Sequence, residues 1–366
     1  MASVTSAAGP IHLGMDTSKN TIMVGILLPG EEMPVVDRIW NDEDSVRHLV
    51  GRLGPVGQLR ACYEAGPCGF ELHRLLTSMG VACDVVAPSL IPRRAGERVK
   101  TGRRDASRLA RLHRAGELTA VRVPAGAEEA VRDLVRARAA LLADRKRAQQ
   151  RITAMLLRHG QVWRATYWTA AHEQWIARQR FSEPALTAAL AHYRAALETR
   201  CAELDAIEAE LKPWAARPPL AEAVTRLGCY RGIALLTGLT LAAEVTDWRR
   251  FPSARAFMGF TGLVPSEYSS GERIRRGSIT KAGSAPARTA LIEAAWSYRH
   301  KPAIGLTLRS RQHEASPQTL ARSWQAQRRL HRRYKTMTAR GKPAGVAITA
   351  MARELAGFAW AEMTSD

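Results

Sequence analysis

The sequence predicts a mixed α/β domain at its N-terminus, then a long helical arm, then a mostly α-helical C-terminal domain. Three observations predict it. Short apolar runs alternate with helix signals through the first 122 residues. The stretch from Ala127 to His159 contains neither Pro nor Gly and keeps a helical pattern. A second such stretch, Pro184 to Leu211, places Leu186, Leu190, Tyr193, Leu197, Leu204 and Leu211 near heptad spacing. The expected boundaries are residues 1–122, 123–215 and 216–366.

In the first part, Ile11–Asp16, Thr21–Leu28 and Val35–Trp40 read as three strands. Short links between them, one closed by Pro29-Gly30, imply an antiparallel meander. Asn41-Asp42 supplies an N-cap for a helix over Ser45–Leu53. A fourth strand over Leu59–Tyr63, a helix over Gly69–Met79, a fifth strand over Ala82–Ala87 and a helix over Asp105–His113 follow. Three antiparallel strands, then helix, strand, helix, strand, helix is the order of the RNase H-like (RuvC-like) fold.

The first long helix carries a stripe of Val131, Leu134, Leu141, Ala148, Ile152 and Met155, with Arg132, Arg136, Arg147 and Arg151 around it. A Trp-rich connection (Trp163, Trp168, Trp175) joins it to the second, giving an antiparallel hairpin or coiled-coil arm. Such an arm is too narrow to be a core by itself, so it is expected to pack on a partner or on nucleic acid. Farther on, Leu227-Gly228-Cys229-Tyr230-Arg231-Gly232-Ile233 precedes an apolar helix and resembles a helix-hairpin-helix, where a tight Gly turn brings backbone N–H groups to phosphate. A compact helix turn without DNA contact fits it nearly as well.

With 54 Lys and Arg against 34 Asp and Glu, the chain carries a net charge of +20. Such an excess points to a polyanionic partner, nucleic acid above all, although membrane surfaces and anionic proteins attract basic chains too. The most apolar stretch, Gly232–Val245, is too short and too interrupted by Thr and Gly to span a bilayer. The N-terminus lacks a basic region followed by an apolar one, so the protein is expected to stay in the cytoplasm where it is made. Cys62, Cys68, Cys83, Cys201 and Cys229 form no CxxC and no Cys/His cluster, as befits free thiols in a reducing compartment.

Asp16 ends the first strand and Glu64 follows the fourth. In an RNase H-like sheet those strands are adjacent and parallel, so both carboxylates project at one sheet edge, and Asp105 opens the helix that crosses it. Hard oxygen ligands of this kind suit Mg²⁺ (or Mn²⁺), which keeps positions open for phosphate and water. Taken singly, each acid has an ordinary reading: a strand-end turn, a loop and a helix cap. Together, in this order on these elements, they point to a metal site.

Gly14-Met15-Asp16-Thr17-Ser18-Lys19, Tyr63-Glu64-Ala65-Gly66 and Lys100-Thr101-Gly102-Arg103-Arg104-Asp105-Ala106 resemble the N-terminal motifs of the DEDD insertion-sequence transposases. Leu109–Leu118 is similar to that family's helix. Gly262–Gly271 and Ile279-Thr280-Lys281-Ala282-Gly283 resemble its second block. The resemblance covers nearly the whole chain. It implies a transposase or recombinase that acts on donor and target DNA, guided by an RNA from its own element, working as a homodimer or tetramer and in no membrane. It implies four acids; the third usually stands three residues before the last, and here that position is Gly102. It also implies a serine nucleophile before a Gly in the second block, which matches Ser270, with Ser269 as a close rival.

On that reading the catalytic residues are Asp16, Glu64, Asp105 and Ser270, the three acids being the metal ligands. Arg273, Arg275, Arg276 and Lys281 would stabilise charge on the phosphate. Arg103 and Arg104, and Arg328, Arg329, Arg332 and Arg333 in the basic run near the end, are the further nucleic-acid contacts. The arginines of the long helices would track RNA by its phosphates. The arm would set Ser270 of one subunit beside the acids of another. Two other readings remain open: a Holliday-junction-type nuclease that cuts with metal-activated water, and an inert nucleic-acid-binding copy in which Gly102 has abolished activity.

Overall fold

The computed structural model describes residues 9–92, 101–269 and 275–365. The chain divides into two compact units, the first ending at Val123 and the second beginning at Pro124.

The first unit is built on a five-stranded sheet: β1 (Ile11–Thr17), β2 (Thr21–Leu27), β3 (Val35–Trp40), β4 (Leu59–Glu64) and β5 (Ala82–Val86), in the order β3-β2-β1-β4-β5. The first three strands form the expected antiparallel meander, and β1–β4 and β4–β5 are parallel. On one face, Ile11, Leu13, Met15, Leu59, Ala61 and Tyr63 pack with Val46, Leu49, Val50, Leu72 and Leu76. Those last five come from α1 (Glu43–Leu53) and α2 (Glu71–Ser78). Asp42 caps α1 by accepting from Ser45 N at 2.8 Å.

The other face takes a single helix, α3 (Gly102–Arg114). Gly14 and Gly25 face each other across β1 and β2. A Cβ on Gly14 would lie 2.2 Å from Ala110 N, and one on Gly25 2.6 Å from Ala106 O. Two missing side chains therefore let the helix backbone rest directly on the sheet. The far end of α3 is held by His113, whose Nε2 lies 3.2 Å from Asp84 Oδ2 and whose ring meets that of His12 edge-on.

Helix α3 begins three residues before the expected Asp105. Its cap is Thr101, whose hydroxyl accepts from Arg104 N. Asp105 is thus neither the cap nor the opening residue; it stands within the first helical turns, on the sheet-facing side with Ala106, Leu109 and Ala110.

The second unit contains α4 (Gly126–Arg158), α5 (Ala170–Arg178), α6 (Pro184–Leu211), α7 (Leu220–Gly228), α8 (Leu235–Val245), α9 (Ala254–Phe260), the hairpin β6 (Pro265–Glu267) and β7 (Arg276–Ile279), α10 (Ala285–Ala295), α11 (Leu306–Arg311), α12 (Pro317–Ala339) and α13 (Ala344–Thr364). Helices α4 and α6 pair as the predicted arm. Its root is not narrow: Val131, Val135 and Leu211 share a core with Leu220, Val224, Leu239 and Ala242 of α7 and α8. Its far end has a separate core of Ile152, Met155, Leu156, Ile176 and Leu190, with α5 filling the Trp-rich connection. The largest core gathers Tyr230, Phe257, Leu291, Tyr298, Leu330, Met351 and Leu355.

In the turn between α7 and α8, Gly232 has φ 84°, and a Cβ there would lie 2.3 Å from Ala294 O. The close approach that this glycine permits is made to α10 of the same unit. The five cysteines are free, with Cys62 and Cys229 buried. Among the described residues no helix is long and apolar enough to cross a membrane.

Candidate active site

The parallel ladder between β1 and β4 runs in register to Met15 and Tyr63. One residue further, Asp16 stands beside Glu64 on neighbouring strands about 4.8 Å apart. Alternation puts both on the α3 face, since Met15 and Tyr63 belong to the opposite core. Helix α3 runs back along that face: Gly102 lies over Asp16, Ala106 and Ala110 over the glycine pair, and His113 against His12. Leu109 O accepts from Cys62 Sγ at 3.7 Å. Asp105, one turn earlier than Leu109, is on the flank toward β4, the strand that ends in Glu64. Asp16 and Glu64 thus lie at one end of one sheet face, and Asp105 is on the buried side of the helix that packs on that face.

Their surroundings differ. Asp16 and Glu64 are partly exposed. Asp105 is 5% exposed; its Oδ1 accepts from Arg108 Nη2 at 2.7 Å, and its Oδ2 is buried without a hydrogen-bond partner. A buried carboxylate oxygen with nothing to bind is what a hard cation would satisfy. As placed, no three His, Cys, Asp or Glu side chains among the described residues close into a metal cage. Mg²⁺ does not require one, because it is ordinarily held by one or two carboxylates with water and substrate phosphate. The donor set fits such an ion.

Gly102 adds no ligand, yet its position is the one a fourth acid would use: a Cβ there would lie 2.6 Å from Asp16 Oδ2 and 3.1 Å from Met23 Cγ. Beside the acids runs an open groove of about 870 Å³, lined by Arg103, Arg104, Arg108, Arg111 and Arg114 with Met33 of the β2–β3 link. Arg103 and Arg104 are exposed there, as phosphate contacts require. The sequence reading missed Arg108, Arg111 and Arg114. The available signal was a basic residue at every third or fourth position along α3.

The two stretches of the second sequence block meet in the second unit. Gly262 and Gly283, both at positive φ, let Ala282 and Phe260 approach closely, and Lys281 N donates to Gly262 O at 3.1 Å. Arg288 Nη1 binds the carbonyls of Thr261 and Ala282. This clasp fixes the base of the β6–β7 hairpin. Ser269 Oγ donates to Glu267 Oε1 at 2.9 Å and accepts from Arg275 N at 3.2 Å. Arg276 approaches Glu267 Oε2 at 3.5 Å; Arg275, Arg276 and Lys281 are exposed. Ser270 and Arg273 lie outside the described residues.

The remaining arginines divide. On α12 all four arginines are exposed, and Arg329 and Arg333 also bind Glu354 of α13, at 2.7 and 2.8 Å. Three arginines of α4 have partners as well. Arg132 Nε donates to Ala243 O at 3.1 Å, and Arg136 makes a two-pronged bond to Glu244 at 2.8 and 3.2 Å. Arg147 pairs with Asp144. Glu244, 4% exposed, also accepts from Ser284 Oγ, the N-cap of α10, at 2.9 Å. Sequence reasoning could not find this junction, because its three members are separated by 108 and 40 positions.

Residues 225–307 match the profile described as "Transposase IS116/IS110/IS902 family". Residues 13–160, which hold all three acids and Gly102, match a profile described as "Transposase", of the DEDD type of the IS110 group. A putative transposase of Sinorhizobium fredii is 42% identical over 356 residues, covering 95% of this chain and 87% of the relative. The chain belongs to the IS110/IS116 transposase family. The transposase for insertion sequence element IS1533 of Leptospira borgpetersenii is 29% identical over 339 residues, or 91% of this chain and 98% of that one. The protein is accordingly a transposase, an enzyme whose substrate is DNA that it cuts and rejoins, and its DEDD domain implies dependence on a divalent metal.

Proposed function

We propose that this transposase is an RNA-guided recombinase that cuts and rejoins DNA through a serine-linked intermediate. The metal half of the reading is supported by the neighbouring positions of Asp16 and Glu64 at the ends of β1 and β4, and by a buried oxygen of Asp105, on the helix over that face, that lacks a hydrogen-bond partner. A divalent cation held by these carboxylates supplies Lewis-acid polarisation of a phosphoryl oxygen. The chain's own groups do the rest. Ser270 Oγ attacks phosphorus, its proton passes to solvent, and one DNA oxygen leaves with a proton, giving a phosphoserine diester. A second DNA hydroxyl then attacks that phosphorus and displaces the serine, so the bond is conserved without ATP. Arg275, Arg276 and Lys281, exposed around the hairpin, stabilise charge on the phosphate. The α3 groove holds the strand by its backbone, and guide pairing reads its sequence.

The experiment compares Ser270→Ala and Ser269→Ala with the unaltered protein, using donor and target DNA, Mg²⁺ and RNA recovered with the protein. A protein–DNA adduct is expected for the unaltered protein and for Ser269→Ala, and none for Ser270→Ala. Continued cutting by Ser270→Ala without an adduct would establish the nuclease reading. No cutting by the unaltered protein under any condition would establish the inert copy. An adduct formed without any RNA would remove the guide from the scheme.

A further inference from the structure

The far end of the arm contains a cavity of about 540 Å³ walled by Trp163, Tyr167, Trp168, His172 and Trp175, with Gln150, Thr153 and Gln161 as polar lining. Its volume and its mix of rings with a few polar groups are those of a small-ligand site rather than a packing defect. His172 is fully buried and sits among the rings, 4.9 Å from Tyr167, 5.1 Å from Trp168 and 5.7 Å from Trp175 by centroid. Its Nδ1 accepts from the Trp168 backbone N–H at 2.9 Å. A neutral imidazole with Nδ1 as acceptor carries its proton on Nε2. That Nε2 is buried without a hydrogen-bond partner, in a residue that borders the cavity. Burial pushes the His172 pKa down against a raising effect from Glu173, which keeps the ring neutral.

The wall is held in place before any ligand arrives. Trp163 Nε1 donates to Thr166 O at 3.0 Å and Tyr167 Oη donates to Trp163 O at 3.1 Å. Trp168 adopts φ 59°, a costly conformation for a bulky side chain that persists only where neighbours enforce it. Tyr167 stays 49% exposed at the lip. Between Gln150 and Glu183 there are five arginines and two glutamates, so the surroundings attract an anion.

We propose that this cavity receives one unpaired nucleobase, stacked on the Trp163 and Tyr167 rings, with a base carbonyl or ring nitrogen accepting from His172 Nε2. A base offers a flat π face for the rings, an acceptor at its edge for the unpartnered His172 N–H, and a phosphate on either side for the arginines. An apolar side chain from a second copy of the chain would fill the rings and leave the N–H unsatisfied. A base within a duplex is stacked and paired, so the occupant is single-stranded. The inference stands apart from the carboxylates and the serine, and its test involves neither.

Full-length protein is mixed with single-stranded RNA, single-stranded DNA or a duplex of one sequence containing 5-iodouracil, irradiated, and mapped by peptide mass. The expected result is a cross-link on Trp163 or Tyr167 with a single strand and none with the duplex. Preference for the RNA arm identifies a guide segment as the source, and equal reaction identifies recognition of the base alone. Tyr167→Ala, which removes the lip ring together with its bond to Trp163 O, is expected to lose the cross-link at that position and to weaken single-strand binding about tenfold while leaving duplex binding unchanged, whereas Tyr167→Phe, which loses only that bond, is expected to bind as the unaltered protein does. Cross-links confined to other segments, equal reaction of the duplex, or a Tyr167→Ala protein that binds strands normally but sediments at a lower mass would overturn the proposal, the last by assigning the cavity to a second copy.

Discussion

A Cβ on Gly102 would stand 2.6 Å from Oδ2 of Asp16, so the first turn of α3 rests its bare backbone against a carboxylate proposed as a metal ligand. Two substitutions separate space from charge. Gly102→Ala forces Asp16 to turn away and adds no oxygen; divalent binding is expected to weaken about tenfold, the usual scale for disturbing a ligand's support. Gly102→Asp imposes the same shift but brings a fourth carboxylate, and is expected to bind Mn²⁺ at least as tightly as the unaltered protein. Calorimetric titration with Mn²⁺ reads both; equal weakening by the two would show that position 102 does not face the metal.

Arg108 is the counter-ion of the buried Asp105. Removing one partner of such a pair strands the other, at a cost of about 3 kcal/mol in a largely buried setting. Arg108→Ala should therefore melt earlier than the unaltered protein in chelator. Mg²⁺ should restore more of that loss than it adds to the unaltered protein, since the cation takes over the charge. Thermal melts with and without Mg²⁺ check this; an equal Mg²⁺ increment in both proteins would separate Asp105 from the metal.

The division of the α12 arginines gives opposite expectations for neighbours in sequence. Replacing Arg328 and Arg332 together by Ala should reduce the slope of log affinity against log salt by about 2, at roughly 0.9 per lost phosphate contact, and leave stability unchanged. Replacing Arg329 and Arg333 together should leave that slope alone and lower stability by roughly 1 kcal/mol, because the exposed guanidiniums make their bonds to Glu354 in a screened setting. DNA binding across a salt series and urea unfolding distinguish the pairs.

Glu362, fully buried, accepts from Arg226, Thr319, Tyr230 and Arg322. Burial acts to raise its pKa, but the hydrogen bonds from Thr319, Arg322 and Tyr230 hold it below the ordinary 4.5. A lowered folded value means that the carboxylate's contribution is complete above 4.5 and fades as pH falls through the folded pKa. Glu362→Gln should cost about 3 kcal/mol at neutral pH and flatten the acid limb of stability against pH. Urea unfolding at neutral pH and at about pH 4 measures the difference; an unchanged acid limb would place the linkage elsewhere.

The first unit was legible because its signals are local. Leu13 and Met15 enter the core with α1 and α2 while Gly14 between them lies under α3, the alternation of faces that a strand imposes. The start of α3 was misread because its first turn holds Gly102, Arg103 and Arg104, none of them apolar, while the cap Thr101 resembles any loop threonine. The adjacency of Asp16 and Glu64 was legible, since the parallel pairing of β1 with β4 carries one to the side of the other. Arg108 was not, because pairing with Asp105 depends on a rotamer. Nor was the split on α12, because Glu354 belongs to another helix.

The bond of Arg136 to Glu244, continued to Ser284, welds the root of α4 to α8 and to the start of α10. Beyond Arg136, α4 runs on to Arg158, about 33 Å at roughly 1.5 Å per residue. A tilt of about 5° at the root would swing its tip by about 3 Å. The base of the arm is therefore tied, through one buried glutamate, to the helix that follows the clasp of Lys281 and Gly283.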